Sequence, residues 1–199
     1  MLSKLALADA QRIAIRITIP QKKSSSLVAK LLLGVVEEYD LALRLLQAQS
    51  AGEVTEMTAD LQLYIRNSHL YLTACAKCYL AKDHHQHDRN GLAVGFAQLA
   101  ARDLETLAKN PKSAYAQEAR RVLTEIHADR ALYDKLNSTV TFAPVPKAEE
   151  LVRQIPGGRS LLKMEVFTPS VLQQRTAGDA HSAAAATAEK TYALQHEYY

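Results

Sequence analysis

Leu5-Ala6-Leu7-Ala8-Asp9-Ala10-Gln11-Arg12-Ile13-Ala14-Ile15-Arg16-Ile17-Thr18-Ile19 decides the fold class of this 199-residue chain. Its second half puts isoleucine at every second position, the period of a half-buried strand. Its first half carries apolar residues at helical spacing, and no turn residue separates the two halves. The whole stretch therefore reads as one helix over residues 2–19, with Leu5, Ala8, Ile13 and Ile17 on a broad apolar stripe. Pro20 stops it, because the residue before a proline avoids the helical region.

The rest of the chain follows the same rhythm. Ser24 to Ser26 offer N-caps for a second helix running to Gln49, apolar at Leu27, Leu31, Val35, Tyr39, Leu43 and Leu46, with Gly52 at its exit. A third helix is expected over 58–81, then a polar turn over 83–90, a fourth helix over 91–109 and a fifth over 113–136. Residues 138–169 hold four of the six prolines and Gly157-Gly158, and read as an extended strap over the helices. Residues 170–199 are polar and Ala-rich and read as a flexible tail, in which 183–188 is too short to be a stable helix alone.

Composition narrows the function. A 48% hydrophobic share supports a true core in a single domain, and seven glycines with no Trp favour helices. A net charge of +3 is too mild for nucleic-acid binding by bulk electrostatics. Two cysteines without a secretory leader suggest a reducing compartment. No apolar run approaches the roughly 20 residues that span a bilayer.

Chemistry-bearing motifs are few. Cys75, Cys78, His84, His85 and His87 carry the right atoms for zinc. The two cysteines lie inside a helix, however, and the linker to the histidines is shorter than finger spacing. The expectation is two core thiols and a solvated His-rich turn, with no metal. No nucleophile elbow, phosphate loop or His-Glu-x-x-His pair is present, and His69 and His127 stand singly. Glu37-Glu38 and Glu149-Glu150 read as solvated pairs, and Lys22, Lys23, Lys30, Arg120 and Arg121 as solvated helix ends. No catalytic residue and no cofactor is expected.

Tyr64-x6-Tyr71-x2-Ala74-x4-Tyr79, followed by Gly91-x4-Phe96-x3-Ala100, resembles the small-and-aromatic packing of tetratricopeptide-type hairpins. The expected fold is all-α: stacked antiparallel helical hairpins in a tetratricopeptide-like solenoid, with the strap and tail appended.

A more specific resemblance covers residues 5–169. Leu7-Ala8-Asp9-Ala10-Gln11-Arg12-Ile13, the proline turn, Leu27-Val28-Ala29-Lys30-Leu31 and Tyr39 resemble the Bro ("Bro-one") domain family of ALIX and BROX. Tyr64 to Lys82, Gly91-x-Ala93, Ala97-x-Leu99-Ala100, Asn137, Val140, Val145-Pro146, Gly158-Arg159 and Thr168-Pro169 fall in the same order as in that family. The match corresponds to the C-terminal half of the family's domain, so residues 1–169 form that half and 170–199 a tail.

The resemblance implies a non-enzymatic adaptor, cytoplasmic and endosome-associated, in multivesicular-body sorting. Its partner would be the C-terminal amphipathic helix of the polymer-forming ESCRT-III subunit, laid into an apolar groove. Nucleic acid is not implied, and membrane contact is peripheral at most. The family's groove uses a Phe on the first helix and an Ile and a Leu one turn apart on the second. Those positions are Ala14, Leu27 and Leu31, with Ile13 and Ile17 placed to refill the space that Ala14 leaves. The other reading is a general helical-repeat scaffold that has lost ESCRT-III binding. Accessibility of Leu27 and Leu31 separates the two.

Overall fold

The computed structural model describes residues 2–19, 23–49 and 56–162. Among these, six α-helices follow one another: α1 (Leu2–Thr18), α2 (Ser25–Gln49), α3 (Glu56–Gln86), α4 (Asn90–Lys109), α5 (Ala116–Leu136) and α6 (Ala148–Arg153). Each of the first four packs on the next and α6 packs back on α4, so the described residues form a stack of antiparallel helical hairpins. The alternation of isoleucines at 13–19 is resolved as helix through Thr18. The turn after Pro20, the exit at Gly52 and the tail over 170–199 lie outside the described residues.

Ser24 caps α2 as its sequence suggests, its Oγ accepting from the Leu27 amide at 3.3 Å. Helix α3 differs from expectation. It runs on through Asp83-His84-His85-Gln86, and the turn is only residues 87–89. The reason is aromatic packing rather than solvation. The His84 ring stacks on Phe96 of α4 at 5.2 Å, and His85 lies 4.5 Å from Tyr133 of α5. His85 also bonds Asn90 Oδ1 at 2.9 Å, at the start of α4. Of the three histidines only His87 is exposed.

At 31 residues α3 is about 46 Å long and serves two cores. Ile65, Leu72 and Ala76 face a cluster with Ala8, Ile15, Leu31, Val35 and Tyr39 of α1 and α2. Ala74, Cys78 and Ala81 face a second cluster with Phe96, Leu104, Ile126 and Tyr133 of α4 and α5. Small residues on α3 and α4 let the backbones approach, which leaves the packing to a few large side chains.

Helix α5 ends in one wide turn, Asn137–Thr141, closed by Phe142 in the left-handed region with φ 48°. The Asn137 side chain holds that turn, donating to the Ala143 carbonyl at 2.9 Å and accepting from its amide at 3.0 Å. The strap then differs from a purely extended segment, because α6 interrupts it. Glu149 and Glu150 in its first turn complement the helix N-terminus, and Leu151 is buried against Gly95 of α4.

Candidate partner-docking surface

The buried face of α1 is Ala8, Gln11 and Ile15, and not the row of Ile13 and Ile17. Isoleucine at every second position advances about 200° around a helix at each step, so periodicity alone does not select the covered side. Ile13 is 58% exposed and Ile17 64%, and with Leu2, Ala6 and Ala10 they form an apolar stripe on the outer face of α1.

The strap reaches this helix. The Arg159 amide donates to the Lys30 carbonyl at 2.8 Å, and the Gly158 amide to Glu37 Oε1 at 2.7 Å. The Ser160 hydroxyl then donates to Gln11 Oε1 at 2.7 Å, and the Leu162 amide to the same oxygen at 3.4 Å. Buried Gln11 thus fastens the strap one turn from Ala14. Leu161 and Leu162, 43% and 37% exposed, extend the apolar surface beside α1.

The five residues read from sequence divide accordingly. Ile13 and Ile17 are exposed together, and Ala14 is half-buried next to them. Leu27 is half-buried at the start of α2. Leu31 is only 2% exposed and belongs to the core with Ile15, Ile65 and Leu72. Spacing of four puts Leu27 and Leu31 on one side of α2, but α2 is covered on nearly every side between Val28 and Val36. Leu161, Leu162 and Gln11 were not readable as site residues, since only the folded strap brings the two leucines to Gln11 on α1.

A polar network fixes α1 against its neighbours. Asp9 Oδ1 accepts from the Tyr39 hydroxyl at 2.5 Å and from Tyr64 at 2.8 Å. Burial first, and the bond to Asp9 second, push the Tyr39 phenol far above its ordinary range. One turn along, the Arg12 guanidinium donates to the Tyr115 hydroxyl, which also bonds Ser68 at 2.9 Å. Asp9 and Arg12, three residues apart on α1, are the signal that sequence offered for this network. Burial raises the Cys75 thiol to about 11 and Cys78 further, so both stay protonated at neutral pH. Among the described residues no group of three or more His, Cys, Asp or Glu side chains is placed to hold a metal ion.

No curated protein matches the sequence. Several solved structures resemble the fold, among them two of ALIX. The ALIX BRO1 CHMP4C complex superposes with a TM-score of 0.69 at 18% identity, covering 87% of this chain and 46% of that one. ALIX in complex with the SIVmac239 PYKEVTEDL late domain gives 0.70 at 18% identity, covering 89% and 24%. The chain therefore spans about half the length of the first relative. A family model described as a BRO1-like domain matches residues 1–188. That match covers nearly the whole sequence, and the chain belongs to the BRO1-like domain family.

Proposed function

We propose that this chain is a non-enzymatic adaptor that docks the C-terminal amphipathic helix of an ESCRT-III subunit, as part of endosomal sorting. The observation that carries the reading is the exposed pair Ile13 and Ile17 beside Ala14, with exposed Leu161 and Leu162 on the strap that Gln11 holds to the same helix, in a family whose similar structures include a BRO1 complex with CHMP4C. Such a surface suits the apolar stripe of a helix, with Leu27 at its edge. Residues 1–169 act as the docking module in this reading, and 170–199 as an appendage to it. Among the described residues no helix is long and apolar enough to cross a membrane. Recruitment to the cytoplasmic side of endosomes then comes from the partner.

A specific observation favours the second reading, a scaffold without ESCRT-III binding. Leu31 is withdrawn into the core, and Ala14 lacks the bulk of the family's Phe. The two are separated by titrating the chain with a peptide of the CHMP4C C-terminal helix, beside an Ile13→Asp/Ile17→Asp variant of unchanged helicity. Two half-exposed isoleucines contribute about 1 kcal/mol each on burial, so the variant should bind about 30-fold more weakly. Equal binding by the variant moves the site elsewhere, and no binding by the folded parent chain establishes the scaffold.

A further inference from the structure

On the other side of α1 from Ala14, a groove of about 580 Å³ runs between α1 and α5 with α3 as its floor. Arg12, Ile15, Arg16 and Ile19 of α1 line it, and Arg12 and Ala14 are two residues apart, about 200° around the helix. Its volume is in the range of ligand-sized clefts, roughly 300–1,000 Å³. We propose that this groove is a second docking site, for an amphipathic helix of about three turns carrying acidic residues along one flank and basic residues along the other.

Length comes first. One end of the groove is closed by the Arg12–Tyr115 hydrogen bond, with Tyr115 stacked on Tyr71 at 4.7 Å. At the other end Lys82 of α3 meets Asp129 of α5 at 3.6 Å. Between Tyr71 and Lys82 the floor advances about 16 Å, or three helical turns. That floor is apolar: Leu72, Cys75 and Tyr79 of α3, with Ile15 and Ile126 at its sides. It suits a row of large apolar side chains at i, i+3, i+4 and i+7.

Charge then selects the occupant. The α1 wall contributes Arg12 and Arg16 and no carboxylate, while the α5 wall contributes Glu118, Glu125 and Asp129. The one arginine of that wall, Arg121, is held by Glu118 at 2.5 Å and Glu125 at 2.7 Å. Glu118 sits below the usual carboxylate range, mainly through its hydrogen bond from Arg121 and also through the field of Arg16 across the groove. The walls are therefore of opposite sign and within reach of one another. A helix with one acidic and one basic flank satisfies both, and the polarity fixes which way its chain runs. A uniformly charged helix matches one wall and opposes the other, and an acyl chain uses neither.

The test uses the full chain and a synthetic helix with a Leu stripe, Glu along one flank and Lys along the other, beside two control peptides carrying Lys or Glu on both flanks. Binding is read by titration and by the labelling rate of the two cysteines, which lie in the groove floor. The mixed-flank peptide should bind saturably, at least tenfold more tightly than either control, and slow thiol labelling at least tenfold. Val122→Trp, which fills the groove, should remove both effects. Arg16→Glu, an exposed change, should turn the preference at least tenfold toward the Lys-flanked peptide. Arg102→Ala, on the exposed face of α4 and away from both surfaces, should leave everything unchanged. Equal binding of the three peptides, no binding of the mixed one by the folded chain, an unmoved preference in Arg16→Glu, or thiol protection by neutral lipid vesicles instead would each overturn the proposal.

Discussion

Gly158 of the strap crosses Gly34 of α2 so closely that neither residue has room for a side chain. A Cβ on Gly158 would stand 2.5 Å from the Gly34 amide nitrogen, and one on Gly34 would strike the Arg159 carbonyl. The contact is backbone on backbone, so no rotamer change relieves it. It also sets the register in which Arg159 reaches Lys30 and Ser160 reaches Gln11.

Gly34→Ala should therefore lift the strap from α2. Overpacking typically costs about 1–3 kcal/mol, less the gain of about 1 kcal/mol that alanine brings inside a helix. The net loss should appear as a lower urea midpoint and as faster hydrogen exchange at the Arg159 amide. Gly157→Ala is the control, since nothing lies within 4 Å of a Cβ there. It should be neutral or slightly stabilising. A destabilised Gly157 variant, or an unaffected Gly34 variant, would count against the close approach.

Ala14 provides a gain-of-binding prediction. It lies half-buried between Ile13 and the Gln11 that holds the strap. Ala14→Phe adds an aromatic side chain worth about 2–3 kcal/mol when a partner covers it, or about 30- to 150-fold in affinity. The CHMP4C helix peptide is the ligand to titrate. An unchanged affinity in a variant of unchanged stability removes Ala14 from the docking surface.

Asp9 is the acceptor for two tyrosine hydroxyls, so Asp9→Ala leaves Tyr39 and Tyr64 only each other to bond. Its cost should be about 1–3 kcal/mol in chemical unfolding, mostly from the one phenol proton left without an acceptor. The same site gives the chain an alkaline limit. Burial, followed by the bond to Asp9, raises the folded Tyr39 pKa above an unfolded value near 10. Above that value the unfolded state holds fewer protons than the native one, so stability present below pH 10 falls as the pH rises. Ultraviolet titration should show Tyr39 ionising only with unfolding, and Tyr39→Phe should flatten the alkaline slope.

His84 sets the opposite limit. Burial first, then the charge of Arg89, lowers its pKa below the ordinary 6.5. Below that ordinary value the unfolded chain takes up a proton that the native joint resists, so stability is full above about pH 6.5 and declines as the pH falls. Urea midpoints at neutral and mildly acidic pH should diverge for the parent chain and converge for His84→Gln. Parallel midpoints in both proteins would show that the stacked ring carries no linkage.

Helix positions were readable because Pro20, the Ser24–Ser26 cap and the Asn110-Pro111 break punctuate an otherwise helical chain. The path of α3 through His84 and His85 was not, since Phe96 and Tyr133, which hold those rings, are 12 and 48 residues away. Leu31 shows a second limit. Period four identifies a face, while burial depends on what the rest of the chain lays over it. Ile13 and Ile17 show the converse, core-like residues that the fold leaves outside. The groove beside α5 needed three helices at once, so no local pattern announced it.

Helix α3 supplies side chains to both apolar clusters, and its Tyr71 and Tyr79 touch each of them. Stacked-hairpin proteins commonly lose their units one after another, because each repeat contacts only its neighbours. Here the shared helix makes the two clusters thermodynamic accomplices. Neither can melt without removing a wall of the other, so the body over the described residues should behave as a single foldon. Damage at the α1 end is then felt at the α5 end as a change in opening rate, with no messenger between them beyond one continuous helix.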